Sequence, residues 1–550
     1  VRVAVKKLAK AQSRRQLKLL FFALAFFTIV CSGYSNQLPI PNSQLEWPMA
    51  SGPTGNWTAD TDISIPRSWS VSADENIRWK TELPEGGQSG IAVWGDRLFL
   101  TINKPLPVGT PVEEMKGSDI VGYCLDSNSG KVLWTVDIPS PKEMPHSGLF
   151  SDNTSATPIT DGKHVWFFNH GGTILCCDME GMELWRRSFE SRTRHNAKQC
   201  EPILVDGQLL FVMTRDSDDP LRRPMRAKPG ERETPAEWWP WTFVRALDAE
   251  TGKPLWTESS GTSVHNTPRI GYLHGLPVVF HARGGGHKPP EVPYGFSMSW
   301  AGGEQAGEVL WSYESSKVVA YTVSHFDEQF AYGFDGGILV QLDARTGNLK
   351  TRFPIYDRAD IRLWDAEKGT YEIHRDAPFS VVVDKFKKDP TNQTTILVGD
   401  YFLYLSHSGH CIARVNTRTG KTEYLQVPRQ VVRDRNGSEE VLWDSHIPSF
   451  ATNSRGMPTA SDRRSERDGW GHVTAGSPIA INQYVFFSTM IGMTYVVDSS
   501  VDTFDESALV AINDLGPTGE TWSLSSLSYS RGKLYHRGLK HVACIETQSP

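Results

Sequence analysis

A short phrase recurs along this chain: an Asp or Asn, a Thr-Gly or Ser-Gly turn, then an aromatic four residues after the Gly. It reads Asp126-Ser-Asn-Ser-Gly130 to Trp134, Asp248-Ala-Glu-Thr-Gly252 to Trp256, and Asn416-Thr-Arg-Thr-Gly420 to Tyr424. A shortened copy runs from Asp178 through Gly181 to Trp185, and Asp343-Ala-Arg-Thr-Gly347 carries Thr351 where the aromatic is expected. A repeat of this kind constrains the fold strongly. Each copy is one supersecondary unit that cannot bury its apolar face alone, so the copies must stack. It also restrains functional reading, because residues that recur in every unit are explained by packing.

Each unit carries an earlier landmark, a polar turn followed by a β-branched or aromatic run. It occurs at Gly95–Phe99, Gly162–Trp166, Gly207–Phe211, Gly275–Phe280, Glu328–Tyr332, Thr394–Val398, Asn482–Phe486 and Gly532–Tyr535. Alternating apolar residues flank these turns, as half-buried strands require. Four strands per unit and eight units predict an all-β, eight-bladed propeller. The last unit ends at Cys544-Ile-Glu546 without a closing aromatic, while Asn76-Ile-Arg-Trp79-Lys80 stands alone near the start. The N-terminal strand is therefore expected to complete the last blade, since an open ring would expose two sheet edges.

The N-terminus reads as an export signal or an uncleaved anchor over residues 1–35. A basic stretch from Arg2 to Lys18 precedes the uncharged run Leu19–Cys31, which is shorter than a membrane span of about 20 residues. Residues 36–73 read as an extended lead-in and 74–550 as the propeller. The whole chain has 57 Lys+Arg against 63 Asp+Glu, and residues 1–33 hold seven basic and no acidic residues. The remainder is acidic, which argues against a nucleic-acid partner. Membrane contact is expected only through the N-terminal segment.

The Asp-x-x-Thr-Gly-x-x-x-Trp phrase resembles the tryptophan-docking motif of pyrroloquinoline-quinone (PQQ)-type β-propellers. That superfamily includes quinoprotein alcohol dehydrogenases and a non-catalytic outer-membrane assembly lipoprotein. Trp47-Pro48 with Gly52-Pro-Thr-Gly55-Asn56 resembles a lead-in of exported bacterial PQQ-like repeat proteins. The resemblance implies that Trp79, Trp134, Trp185, Trp256 and Trp311 dock between blades. Its dehydrogenases cover the quinone with a disulfide between adjacent cysteines. Here the adjacent pair Cys176-Cys177 lies inside a predicted strand, where alternation sends the two side chains to opposite faces. Cys124, Cys176 and Cys544 occupy one equivalent position of the repeat and read as small core residues. Asp126-x-Asn128-x-Gly130 mimics the start of a calcium loop, but no acidic ligand follows at the right distance, so it reads as the repeat turn.

The long insertions, 104–119, 214–241, 284–293 and 428–470, fall mostly on one face of the propeller, where binding usually resides. Polar residues at the starts of the innermost strands face the channel on the same side. The candidates for a ligand-binding funnel are Gln88, His146, Asn153, His195, Asn196, His265, Asn266, His472 and Trp522. Arg283-Gly-Gly-Gly-His287-Lys288 is expected to add positive charge at the rim. No catalytic residue and no metal ligand is assigned by spacing. The expected function is an exported binding or scaffold module for a protein partner or a small polar ligand on the loop-rich face. The alternative is a quinoprotein dehydrogenase using PQQ and calcium to oxidise an alcohol or sugar. It would pass electrons to a separate carrier, because no Cys-x-x-Cys-His haem motif is present.

Overall fold

A computed structural model describes residues 46–107, 109, 119–141, 152–189, 200–214, 242–258, 260–261, 267–283, 294–315, 324–382, 395–406, 408–452, 470 and 476–547. The strands form eight antiparallel blades. Blade 1 is built from Ala92–Trp94, Arg97–Asn103, Ile120–Asp126 and Val132–Ile138. Blade 2 uses Ile159–Thr160, His164–Asn169, Thr173–Asp178 and Glu183–Ser188, and blade 3 runs from Ile203–Val205 to Pro254–Thr257. Blade 4 begins at Arg269–Leu273, blade 5 at His325–Phe326, blade 6 at Ile396–Val398, blade 7 at Ile479–Ile481 and blade 8 at Ser528–Ser530. The expected closure is present: Ile77–Glu82 is the outer strand of blade 8, with Trp79 opposite Cys544.

Composition follows position in the blade. The second and third strands are covered on both faces by neighbouring blades, so Leu98, Phe99 and Leu100 are all buried. Outer strands meet a neighbour on one side and alternate between exposed and covered residues, as in Val132–Ile138.

The docking aromatics sit on the turn of the next blade. Trp134 Nε1 donates to Met179 O at 3.0 Å, Trp185 Nε1 to Ala249 O at 3.2 Å, and Trp311 Nε1 to Ala344 O at 2.8 Å. Trp79 reaches from blade 8 to Ser127 O at 3.1 Å on blade 1, which carries the pattern across the closure. Trp256 donates instead to Gln208 Oε1 at 2.8 Å within its own blade, while its ring lies against Gly307 of blade 4. A β-carbon built on Gly347 would lie 2.5 Å from Trp311, so the repeat glycine leaves the space that the indole fills.

Several details depart from the sequence reading. Thr394–Val398 is not the second strand of unit six: Ile396–Val398 is its inner strand, and the turn at Gly399-Asp400 leads into Tyr401–Ser406. On blade 5 the docking role passes from position 351 to Phe353, whose ring meets Gly420 of blade 6. Tyr424 does not dock forward; its hydroxyl meets Tyr404 at 2.7 Å and Ile355 O at 2.9 Å, inside the blade 5/6 core. Blade 6 gains a hairpin, Ala359–Asp365 and Thr370–Ala377, whose first strand runs parallel to Thr422–Gln426. Trp364 of this hairpin stacks on Trp443 with centroids 4.5 Å apart, and Trp443 follows a second hairpin, Gln430–Arg433 and Glu439–Leu442. Among the described residues no helix is long and apolar enough to cross a membrane.

Candidate functional site

The lead-in is a plug. Trp47 exchanges backbone hydrogen bonds with Val93 of blade 1, and Pro48 O accepts from Thr160 N of blade 2 at 2.9 Å. Met49 Sδ accepts from Leu204 N of blade 3 at 3.4 Å. Thr58–Ala59 then adds a parallel strand to the inner strand of blade 7, opposite Ala480 and Ile481. These partners lie just before the first turn of their blades, at Gly95, Gly162, Gly207 and Asn482. The plug therefore sits at the turn end of the inner strands, opposite the long insertions. Its Trp47, Trp57 and Trp69 are fully buried. Trp69 N donates to Asn513 Oδ1 at 2.9 Å, and Asp514 accepts from Ser70 and from Ser72 N, which fastens the segment to blade 7 before it reaches blade 8.

Toward the other end, the starts of the inner strands form a belt of hydrogen bonds. Ser528 Oγ of blade 8 donates to Ile91 O at 2.6 Å. Blade 1 meets blade 2 through Gln88 N to Thr154 Oγ1 at 2.8 Å and Gly90 N to Thr157 Oγ1 at 3.0 Å. Thr157 N and Oγ1 donate to the Glu201 carboxylate of blade 3 at 2.7 and 3.1 Å. Glu201 N donates to Thr267 Oγ1 of blade 4 at 3.0 Å. Arg269 Nε donates to Ser324 O of blade 5 at 3.2 Å, and His325 Nε2 lies 3.0 Å from Thr395 O of blade 6. The polar character of these positions thus serves blade-to-blade registration as well as any ligand.

Burial dominates the electrostatics of the belt. It pushes the Glu201 carboxyl up to about 7, against the two hydrogen bonds from Thr157. It draws the Arg269 and His325 pKa values well below their usual ranges. Arg537 of blade 8 is held by carbonyl and hydroxyl oxygens, among them Thr101 O at 2.7 Å and Ser89 Oγ at 2.9 Å, and burial lowers it to about 10.

The sequence candidates divide accordingly. Gln88 is 4% exposed; its Oε1 accepts from Ser155 Oγ at 3.3 Å while Nε2 has no hydrogen-bond partner. Asn153 is buried beside it, its backbone oxygen accepting from His170 N at 3.1 Å. Trp522 lies in the connection between blades 7 and 8, packed with Ala451, Met490 and Leu539, and its Nε1 is without a partner. His146, His195, Asn196, His265, Asn266 and His472 lie outside the described residues. So do residues 284–288 of the basic rim segment. Arg283 itself is folded back into blade 4, with Nη1 donating to Ser312 Oγ at 2.8 Å, and does not carry its charge to the rim. Sequence reasoning missed Trp57, Thr157, Glu201, Arg269 and His325. The available signal was positional: Glu201-Pro202 and Thr267-Pro268-Arg269 occupy the same strand-start position as Gln88 and Asn153.

The adjacent cysteines do not fit a quinone cap. Cys176 packs into the core shared with blade 3 and Cys177 into that shared with blade 1, and both are free thiols. Burial pushes the Cys177 thiol up to about 12 and raises that of Cys176 further. Cys124 and Cys544 are likewise buried and free, as core residues should be. Among the described residues no cluster of His, Cys, Asp and Glu has the arrangement of a metal site.

Comparison with known proteins agrees with this architecture. A family model described as outer membrane protein assembly factor BamB matches residues 117–233. A comparison with curated protein sequences finds no match. Quinohemoprotein alcohol dehydrogenase from Comamonas testosteroni is similar over 92% of this chain and 81% of its own, at 12% identity and a TM-score of 0.51. Quinohemoprotein alcohol dehydrogenase ADHIIG from Pseudomonas putida HK5 is 11% identical over 94% of this chain and 83% of its own, with a TM-score of 0.48. BamB from Moraxella catarrhalis is 12% identical over 85% of this chain and 98% of its own, with a TM-score of 0.32. At these identities the structural likeness concerns the fold alone. With eight four-stranded blades and glycine-seated docking aromatics, the chain is an eight-bladed β-propeller whose residues 117–233 are similar to the BamB family model.

Proposed function

We propose that this chain is an exported binding module whose loop-rich face engages a protein partner or a small polar ligand, without redox chemistry of its own. The observation that carries this reading is the placement of Cys176 and Cys177 in two separate cores, where they cannot close over a planar cofactor. The plug supports it by closing the turn end of the inner strands, which leaves the loop-rich end as the approach to the belt. The family match to an assembly factor favours a protein partner, and the basic and apolar leader in residues 1–35 favours export.

The second reading is a dehydrogenase dependent on PQQ and calcium. Glu201 is the observation in its favour, as a partly buried carboxyl at the belt with a pKa raised to about 7. Reconstitution separates the two. The purified protein is mixed with PQQ and calcium, and quinone absorbance and alcohol-dependent dye reduction are followed. The binding-module reading expects neither a retained chromophore nor turnover. Tight retention with substrate-dependent dye reduction would overturn it.

A further inference from the structure

Arg414 and Arg537 show how a buried arginine is compensated in this fold. Arg414 meets Glu423 at 3.0 Å through Nε and donates through Nη1 to Ser499 O at 3.0 Å. Arg537 lacks a carboxylate contact, yet Nε, Nη1 and Nη2 all donate to oxygens. Arg269 is different. It is 0% exposed and forms no ion pair among the described residues, and its Nη1 has no hydrogen-bond partner. A buried guanidinium left in this state is costly, because neither its charge nor one of its donors is matched.

The surroundings of Arg269 leave one donor unmatched. The Trp57 ring of the plug covers one face, with Cζ 3.7 Å from the ring centroid. Ser324 O takes Nε at 3.2 Å, and His325 Nε2 lies 3.4 Å from Nη2. Nη1 remains. Glu201 is the nearest belt carboxyl in register, since its backbone meets Thr267 two residues before Arg269. Its carboxylate turns away to Thr157.

We infer that Arg269 anchors an oxyanion subsite at the inner end of blade 4, where Nη1 receives one oxygen of a carboxylate or phosphate group. This rests on the binding-module reading and names the chemistry of what is bound. Trp57 fixes the plane of the guanidinium, and Ser324 fixes its rotation, so the open donor is pre-oriented. An oxyanion there neutralises the charge and satisfies the donor in one contact, a stronger interaction than a neutral acceptor gives.

The test uses the full chain with sodium succinate and inorganic phosphate as separate probes, against chloride at matched ionic strength. Wild type should show a rise in Tm of a few degrees at saturating probe, as expected for a ligand that binds only the folded state. The probe with the larger response identifies the headgroup. Arg269→Met keeps the volume and removes the charge; it should fold and bind the same probe at least about 10-fold more weakly by calorimetry. Should that variant not fold, selenate soaked into wild-type crystals should give an anomalous peak within hydrogen-bond distance of Nη1. A wild type indifferent to both probes, an Arg269→Met variant with unchanged affinity, or no peak at Nη1 would each overturn the subsite. Alcohol-dependent dye reduction in the cofactor assay, which reads turnover and not oxyanion affinity, would still decide the broader reading.

Discussion

The docking contact between Trp311 and Gly347 offers a quantitative test of how the blades are held. Trp311 is 7% exposed, donates to Ala344 O at 2.8 Å and packs on Phe280 at 5.7 Å between centroids. Truncation to Ala should cost about 3–5 kcal/mol, the scale for a buried aromatic. Gly347 has φ +70°, and a β-carbon there would lie 2.5 Å from the indole. Gly347→Ala should therefore cost about 1–2 kcal/mol for the left-handed backbone and about 1–3 kcal/mol for the overlap. In the double variant the overlap vanishes and only the backbone term remains. The two changes should then be less than additive by about 1–3 kcal/mol. Gly95→Ala is the control, because its φ is +59° but no atom lies within 4 Å of the added carbon. It should show the backbone cost alone and no coupling to Trp311. Urea unfolding followed by circular dichroism supplies the midpoints and slopes. Additivity of the Trp311 and Gly347 changes within about 0.5 kcal/mol would refute a docking contact in which the glycine exists to admit the indole.

Other consequences are open to direct measurement. Deleting residues 74–84 removes the outer strand of blade 8, with Trp79 and its bond to Ser127; the protein should aggregate or lose cooperative unfolding, and a soluble deletion variant with a wild-type Tm would contradict the closure. Trp134→Ala, at a half-buried indole, should cost about 2 kcal/mol, distinctly less than Trp311→Ala, by the same urea titration. Burial lowers His536 to about 3, so the folded state holds it neutral while the unfolded chain protonates near 6.5. Its stabilisation is complete above pH 6.5 and falls by about 1.4 kcal/mol for each pH unit below that, down to about 3; His536→Gln should flatten the acid limb of a Tm–pH profile. Glu201 is shifted the other way, with a folded pKa of about 7, so its contribution is present below about 4.5 and lost as pH rises through 7. Glu201→Gln should raise stability by about 1–3 kcal/mol at pH 8 and leave it unchanged near pH 4.

The sequence carried the blades because their periodicity is local. The phrase from Asp126 to Trp134 contains its own turn chemistry, with the Asp126 carboxylate accepting from Ser129 N at 2.7 Å and Asn128 N at 3.1 Å. The aromatic four residues after the glycine then reaches the next copy of the same turn. Closure by Trp79 was legible for the same reason, since an orphan strand and an incomplete unit need one another. The hairpin Ala359–Asp365 and Thr370–Ala377 was not legible as an addition to blade 6. Its turn at Asp365-Ala-Glu-Lys-Gly369 copies the repeat in part, but its parallel pairing with Thr422–Gln426 joins residues some 60 positions apart. The plug was hidden for a related reason. Trp47, Trp57 and Trp69 follow no period, and their partners belong to blades 1, 4 and 7.

The plug also changes what the funnel residues mean. A polar strand start beside an open channel invites a ligand-binding reading, as at Gln88 and Asn153. With Trp47 and Trp57 buried in the plug, the belt lies on the other side of it, at the starts of the inner strands. Most of its polar groups then have assigned work in holding neighbouring blades together, as Thr157 does by accepting from Gly90 and donating to Glu201. Ligand chemistry must come from groups that registration leaves unsatisfied. Arg269 Nη1, Gln88 Nε2 and Trp522 Nε1 are such donors among the described residues, and the Ser324 hydroxyl, which can donate or accept, is unmatched beside Arg269. A buried arginine with an unmatched donor favours a ligand that carries acceptor oxygens and negative charge.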